Sequence, residues 1–275
     1  MSKVPSRTLN NGVTMPQLGF GVWQVPDDEA TATVATALEA GYRSIDTAAV
    51  YGNERGTGRA VATSGIPRDE VFVTTKLWNT DQGYDSTLRA FDASLERLGL
   101  EYVDLYLIHW PVPARDTYID TYRAFEKIYA DGRARAIGVS NFLPGHLERL
   151  MDATSVVPVL NQIELHPQLA QSASRAFHAR HDIATEAWSP LGQGKGLLEA
   201  PAVVAVARKH GRTPAQAVLR WHLQLGNIVI PKSSTPSRIR ENIDVLGFEL
   251  DADDLAAFAA LDEGRRIGPD PAVFG

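Results

Sequence analysis

Eight short apolar runs recur along this chain, and stretches of helical period separate them. The runs are Leu18–Trp23, Ser44–Ala48, Val71–Leu77, Val103–Trp110, Ala134–Phe142, Val159–Leu165, Ala184–Pro190 and Ile228–Lys232. Several are nearly continuous in apolar residues, as strands covered on both faces must be. Strands alternating with helices predict βα units and a parallel sheet. The helical stretches carry their own punctuation. Glu29–Ala40 ends at Gly41, placed as a C′ glycine. Asp85–Leu98 puts Leu88, Phe91, Leu95 and Leu98 on one face and ends at Gly99. Thr213-Pro214-Ala215-Gln216 reads as N-cap, N1 proline and capping-box glutamine, opening a helix to about Leu225. Thr235-Pro236 opens another in the same way.

Eight such units in 275 residues predict a (β/α)8 TIM barrel, with residues 1–275 as one domain. A doubly wound open sheet is the structural alternative. At the N-terminus, Arg7–Met15 holds Asn10-Asn11-Gly12 between apolar residues, a hairpin signal. In a barrel that β-hairpin plugs the bottom. The barrel also directs attention to the carboxyl ends of its strands, where such folds keep their chemistry.

Composition removes several classes of function. The absence of cysteine excludes disulfides, thiolate metal sites and a cysteine nucleophile. A net charge of −6 gives no whole-chain basic signal for nucleic acid or an anionic membrane. No apolar run approaches the ~18 residues of a membrane span, and no apolar signal core follows Met1–Arg7. The expectation is a soluble cytoplasmic monomer with a small-molecule partner. There is no His-x-His at an early strand and no His-Glu-x-x-His, so no metal is expected. His146, His178, His181 and His210 read as surface helix residues, and His166 and His222 as structural ones.

Four ionisable side chains close consecutive units. Asp46 ends the second strand, Tyr51 lies five residues beyond it, Lys76 ends the third strand and His109 the fourth. Taken singly, each is an ordinary structural residue: Asp46 and Lys76 a buried ion pair, Tyr51 a packed aromatic. Together at one rim they allow coherent chemistry. Lysine near ~10.4 and tyrosine near ~10 are poor proton shuttles at neutral pH. A cation beside a phenol lowers its pKa, and a carboxylate beside the lysine keeps that lysine charged. His109 is placed to orient a carbonyl oxygen. The set suits protonation of a carbonyl oxygen while something else supplies hydride.

Three stretches then resemble the aldo-keto reductase superfamily, most nearly its bacterial 2,5-diketo-D-gluconate reductase-like members. They are Gly41-Tyr42-Arg43-Ser44-Ile45-Asp46-Thr47-Ala48 followed by Glu54 and Gly58; Ile137-Gly138-Val139-Ser140-Asn141-Phe142; and Ile230-Pro231-Lys232-Ser233 followed by Arg238, Glu241 and Asn242. The resemblance implies that Tyr51 is the proton donor in reduction, that Lys76 and Asp46 tune it, and that His109 positions the carbonyl. Thr57 departs from the family, which usually has an apolar residue there, so a local packing change is expected.

Side chains do not donate hydride, so a cofactor must. Gly19-Phe20-Gly21 meets Gln24 where a dinucleotide fingerprint needs its third glycine, and Gly194-Lys195-Gly196 is no Walker A. A barrel offers another phosphate site, beside the loops after strands seven and eight and a following helix N-terminus. Lys232, Ser233, Ser234, Thr235 and Arg238 fall there. Cations beside hydroxyl donors suit a phosphomonoester, which selects NADPH/NADP+ over NADH. The resemblance implies further that Arg238 stacks on adenine while Glu241 and Asn242 bind its edge. It implies that Ser140, Asn141 and Gln162 hydrogen-bond the carboxamide, and that Trp188 stacks on the nicotinamide. The loop Ser189-Pro190-Leu191-Gly192-Gln193-Gly194, with Ile230 and Pro231 opposite, is placed along the pyrophosphate.

Trp23, Trp78 and Trp110 lie at or past strand ends and, with His109, predict a largely apolar substrate pocket. Pro113–Asp120 and the tail Gly264–Gly275 frame its opening, and Arg115 or Arg265 is as readily a surface charge as an anion contact. The function read from these residues is NADPH-dependent reduction of aldehydes or ketones, α-dicarbonyls and keto-sugars included. A non-catalytic NADPH sensor on the same scaffold is the alternative. Glu164 and Glu186, on the sixth and seventh strands, also admit a glycosidase, but that reading leaves the lysine-serine cluster near Arg238 unexplained.

Overall fold

The structure is a computed structural model that describes residues 4–275; Met1–Lys3 of the N-terminal segment lie outside the described residues. Strands β1 (Ser6–Thr8) and β2 (Thr14–Pro16) form an antiparallel hairpin with Arg7 opposite Met15. Its turn holds Gly12 at φ +84°, a conformation that costs glycine little. Leu9 and Met15 of this hairpin are buried with Phe72, Leu105, Leu107, Leu160 and Ile228. Phe72, Leu105, Leu160 and Ile228 are the first residues of their strands, so the hairpin plugs the bottom as expected.

The remaining strands are β3 (Phe20–Gly21), β4 (Ser44–Asp46), β5 (Phe72–Leu77), β6 (Leu105–Ile108), β7 (Ile137–Ser140), β8 (Leu160–Glu164), β9 (Ala184–Trp188) and β10 (Ile228–Val229). They are parallel and adjacent in chain order. The first and last also meet. Gly19 N donates to Val229 O at 2.9 Å, Val229 N to Gln17 O at 3.0 Å, and Gly21 N to Pro231 O at 3.1 Å. These bonds close the cylinder and exclude the open sheet. All eight apolar runs contain a strand, but each strand is shorter than its run. Trp110 and Phe142, for example, lie beyond the ladder yet remain buried. Burial prolongs an apolar run past the point where backbone pairing stops.

The helices are α1 (Asp27–Ala40), α2 (Glu54–Thr63), α3 (Tyr84–Leu98), α4 (Tyr118–Ala130), α5 (Pro144–Ala153), α6 (Ser172–Arg180), α7 (Pro201–Lys209), α8 (Pro214–Gln224), α9 (Pro236–Ile243) and α10 (Ala252–Ala259). Of these, α1, α3, α8 and α9 are the ones whose ends the sequence marks; α10 packs on α7, which lies beside α8. Thr213 and Gln216 form the expected capping box, whereas Thr235 precedes α9 without a side-chain cap. Gly58 lets α2 lie against the end of α3: a Cβ there would stand 1.9 Å from Leu98 O.

His178 corrects one reading. It is fully buried on α6, with its ring between Asn161 Nδ2 at 3.0 Å and Thr185 Oγ1 at 2.9 Å. Both partners lie on the sheet, so the inward face of α6 carries this histidine. His146 and His210 are half-buried, His181 is exposed, and His166 and His222 are buried. Burial lowers His178 to about 4 and His222 to about 3. Both are therefore neutral in the fold, while the unfolded chain protonates them below about 6.5. Because the unfolded state then binds more protons, stability is full above that pH and falls on acidification. At pH 5 each contributes a loss of about 2 kcal/mol. Urea unfolding at pH 5 against pH 7 checks this; equal midpoints would remove the argument.

Candidate active site

Asp46, Lys76 and His109 come to one rim because parallel register puts successive strand ends level. Asp46 pairs with Thr74, Lys76 with Leu107, and His109 N bonds to Leu77 O. Tyr51 arrives on a single helical turn, Ala49–Tyr51, that the next residues pin. Asn53 donates to Val22 O and Val25 O and accepts from Thr47 Oγ1, all while fully buried. Thr57 is buried with no partner for its hydroxyl.

The group is tightly built. Lys76 Nζ donates to Asp46 Oδ1 at 2.6 Å and to Thr47 O at 2.9 Å, and lies 5.1 Å from the centre of the Tyr51 ring. His109 meets Tyr51 edge-on at 5.7 Å and Trp78 at 5.3 Å. Burial pulls Lys76 down, but Asp46 and Tyr51 outweigh it and hold the ammonium above its ordinary value. Burial and then Lys76 push His109 well below the histidine range, so it is a neutral imidazole with one N–H to give. Tyr51 departs from expectation. Lys76 pulls its pKa down, but burial, aided by Asp46 and Glu186, exceeds that pull and leaves the phenol raised. In this arrangement Tyr51 keeps its proton at neutral pH.

A continuous cavity of about 1220 Å³ runs from Tyr51, His109, Trp23, Trp78 and Trp110 to Lys232, Ser233, Arg238, Glu241 and Asn242. Ser140, Asn141, Gln162 and Trp188 line its middle with Ser189, Leu191, Gln193, Ile230 and Pro231. Asn141, at φ +64°, ties this middle together. It donates to His109 O and Ser140 Oγ and accepts from Trp188 Nε1 at 2.8 Å, which fixes the indole. Lys232 and Arg238 are exposed and form no ion pair among the described residues. Thr213 Oγ1 holds Glu241 at 2.7 Å.

Four of the expected residues do not line the cavity. Ser234 and Thr235 are exposed beyond it, Gly192 is buried in the turn of its loop, and Lys76 lies beneath Asp46 and Tyr51. Arg115 and Arg265 stay outside it as well; Arg115 donates to Asn79 O. The tail does frame the mouth. Glu164, buried on β8, accepts Ile267 N at 2.5 Å and Gly268 N at 2.9 Å, and Phe274 packs on Trp110. That commitment, with Glu186 also fully buried, leaves Glu164 and Glu186 without the water access that glycoside hydrolysis needs. Gln24, Val50, Leu198 and Glu199 also line the cavity. Val50 sits on the helical turn that carries Tyr51 and the other three stand in loops, and no sequence signal marks them.

The protein-family comparison matches residues 15–263 to the aldo/keto reductase family. The chain belongs to the aldo/keto reductase family. An aldo-keto reductase of Mycolicibacterium smegmatis is 58% identical over 270 residues, 98% of each chain. The methylglyoxal reductase DkgA of Escherichia coli K12 is 52% identical over 268 residues, 97% of each. Among solved structures, a Gox0644 variant in complex with NADPH covers 100% of both chains at TM-score 0.96 and 50% identity. This aldo/keto reductase thus carries the family's barrel, and its fold brings Asp46, Tyr51 and His109 to the wall of one cavity with Lys76 beneath them.

Proposed function

We propose that this aldo/keto reductase uses NADPH to reduce small aldehydes, ketones and α-dicarbonyls, with Tyr51 as the proton donor. The observation that carries the reading is the cavity itself. It joins a phenol, a neutral imidazole and three indoles at one end to two unpaired cations at the other. The residues present fit a phosphorylated dinucleotide. Lys232, Ser233 and Arg238 would hold the 2′-phosphate, Glu241 and Asn242 would border the adenine, and Trp188, held by Asn141, would line the nicotinamide end. When bound, NADPH supplies the hydride to the carbonyl carbon.

The chain's own residues do the rest. His109, neutral, donates a hydrogen bond to the carbonyl oxygen and orients it. Tyr51 gives its proton to that oxygen as negative charge develops there. The phenolate left behind faces Lys76, whose charge Asp46 maintains. Trp23, Trp78 and Trp110 exclude water and favour a compact, weakly polar substrate. The relatives named methylglyoxal reductase support an α-dicarbonyl.

A panel of aldehydes, α-dicarbonyls and keto-sugars, followed at the NADPH absorbance band, tests the reading. Turnover is expected with NADPH and strongest with small dicarbonyls; NADPH binding without any turnover would favour a sensor instead. Arg238→Ala is expected to weaken NADPH by tenfold or more, about 1.4 kcal/mol or above, and NADH much less. Equal losses in a fluorescence titration would break the 2′-phosphate assignment.

A further inference from the structure

Glu186 lies at the floor of this site with no part in the chemistry above. It stands on β9 opposite Gln162 of β8, its Cα partner in the ladder. Gln162 Nε2 donates to Glu186 Oε2 at 2.8 Å and to Asp46 Oδ2 at 2.9 Å. Asp46 in turn holds Lys76 at 2.6 Å. A chain of hydrogen bonds therefore crosses the barrel from Lys76 through Asp46 and Gln162 to a second carboxyl. Glu186 is fully buried, and its Oε1 has no partner. An ionised carboxylate with a bare oxygen in a closed barrel is costly unless a charge offsets it. Lys76, the cation that faces it, is already bonded to Asp46.

We propose that Glu186 is a positioning residue of the hydride-transfer site: a carboxyl that is neutral when the enzyme reduces carbonyls, and whose ionisation reaches Tyr51 through Gln162, Asp46 and Lys76. The inference rests on the reading of Tyr51 as proton donor. Two physical consequences follow from the geometry. Two carboxyl acceptors fix the Gln162 amide with its nitrogen in the barrel, so its oxygen is the end left at the cavity. The second consequence is electrostatic. The titratable groups facing Glu186 are Asp46 on β4, Lys76 on β5 and Tyr51 beyond β4. Proton donation by Tyr51 leaves a phenolate, and one ammonium then balances Asp46 and that phenolate. Ionising Glu186 adds a third negative group around the same cation and opposes the transfer. Burial, then Asp46, raise Glu186 to about 8, against the smaller pull of Gln162 and Lys76. Its titration thus falls where the reaction is easily measured.

The test is single-turnover carbonyl reduction by the NADPH-loaded enzyme from neutral to alkaline pH, in wild type, Glu186→Gln and Glu186→Asp. Gln keeps an acceptor for Gln162 without a charge, and Asp keeps a titrating carboxyl. The wild type is expected to lose rate as pH rises through this range. Glu186→Gln is expected to lose that descending limb, and Glu186→Asp to retain one. In alcohol oxidation, Glu186→Gln is expected to move the alkaline inflection to lower pH. Superimposable wild-type and Glu186→Gln profiles overturn the proposal. Infrared titration of the wild-type protein decides it should the variants fail to fold. A buried protonated carboxyl band lost between neutral and alkaline pH supports the proposal; its absence overturns it. A protein that reduces no carbonyl refutes the functional reading, while the infrared titration still reports on Glu186.

Discussion

Tyr51→Phe is expected to abolish carbonyl reduction while leaving NADPH bound. The phenyl ring fills the same space, so the edge contact with His109 and the cation over the ring survive. Only the hydroxyl is lost, and with it the one proton donor whose conjugate base faces an ammonium. His109 does not replace it as an acid. It is neutral, and donating its remaining N–H proton outright would leave an imidazolate. General acid catalysis contributes about 10²–10⁴-fold, and that loss should fall on the hydride-transfer rate. Single-turnover kinetics and a binding titration on the same sample separate the two effects. A rate within about tenfold of wild type would take the proton-donor role away from Tyr51.

Lys76→Met should reduce both stability and rate. Lys76 has no exposed surface, and its ammonium makes two bonds, to Asp46 and to Thr47 O. Methionine matches the stem but leaves Asp46 buried beside Glu186 with no cation facing either. Removing one partner of a buried pair costs about 3–5 kcal/mol, because the survivor keeps its desolvation penalty. The phenol also loses the only charge that favours its ionisation, so the proton becomes harder to release to substrate. Urea unfolding at pH 7 reads the first effect and single-turnover reduction the second. A variant as stable as wild type and still active would mean that Lys76 and Asp46 are not coupled as their geometry implies. Substituting Asp46 as well, by Asn, is expected to recover part of the stability but not the rate.

The tetrad was legible because its members end strands or follow them at short range. A run such as Leu107-Ile108-His109 sets the polar residue against its apolar neighbours, and the barrel makes strand ends converge. Trp188, Lys232 and Ser233 were legible for the same reason. Ser234 was misplaced because adjacent residues on one loop can face opposite ways, and only the path of the backbone decides which enters the cavity. His178 was misread because a nine-residue helix of mean polar character, Ser172–Arg180, gives little contrast between its faces. Its partners Asn161 and Thr185 lie on two separate strands, so the sequence around His178 contained no trace of them. Gln24 and Leu198 fall in irregular loops that periodicity does not describe.

The sequence by itself determined the eight-fold βα order, the hairpin beneath it and the residue types at each strand end, since local period and capping chemistry are written in adjacent residues. The tertiary structure alone decided the closure of β3 on β10, the clasp of Glu164 on the tail, the raised Tyr51 phenol and the link from Glu186 to Asp46. Each of these depends on burial or on a contact between residues far apart in the chain. Desolvation is a property of the whole enclosure, and no short stretch of sequence specifies it.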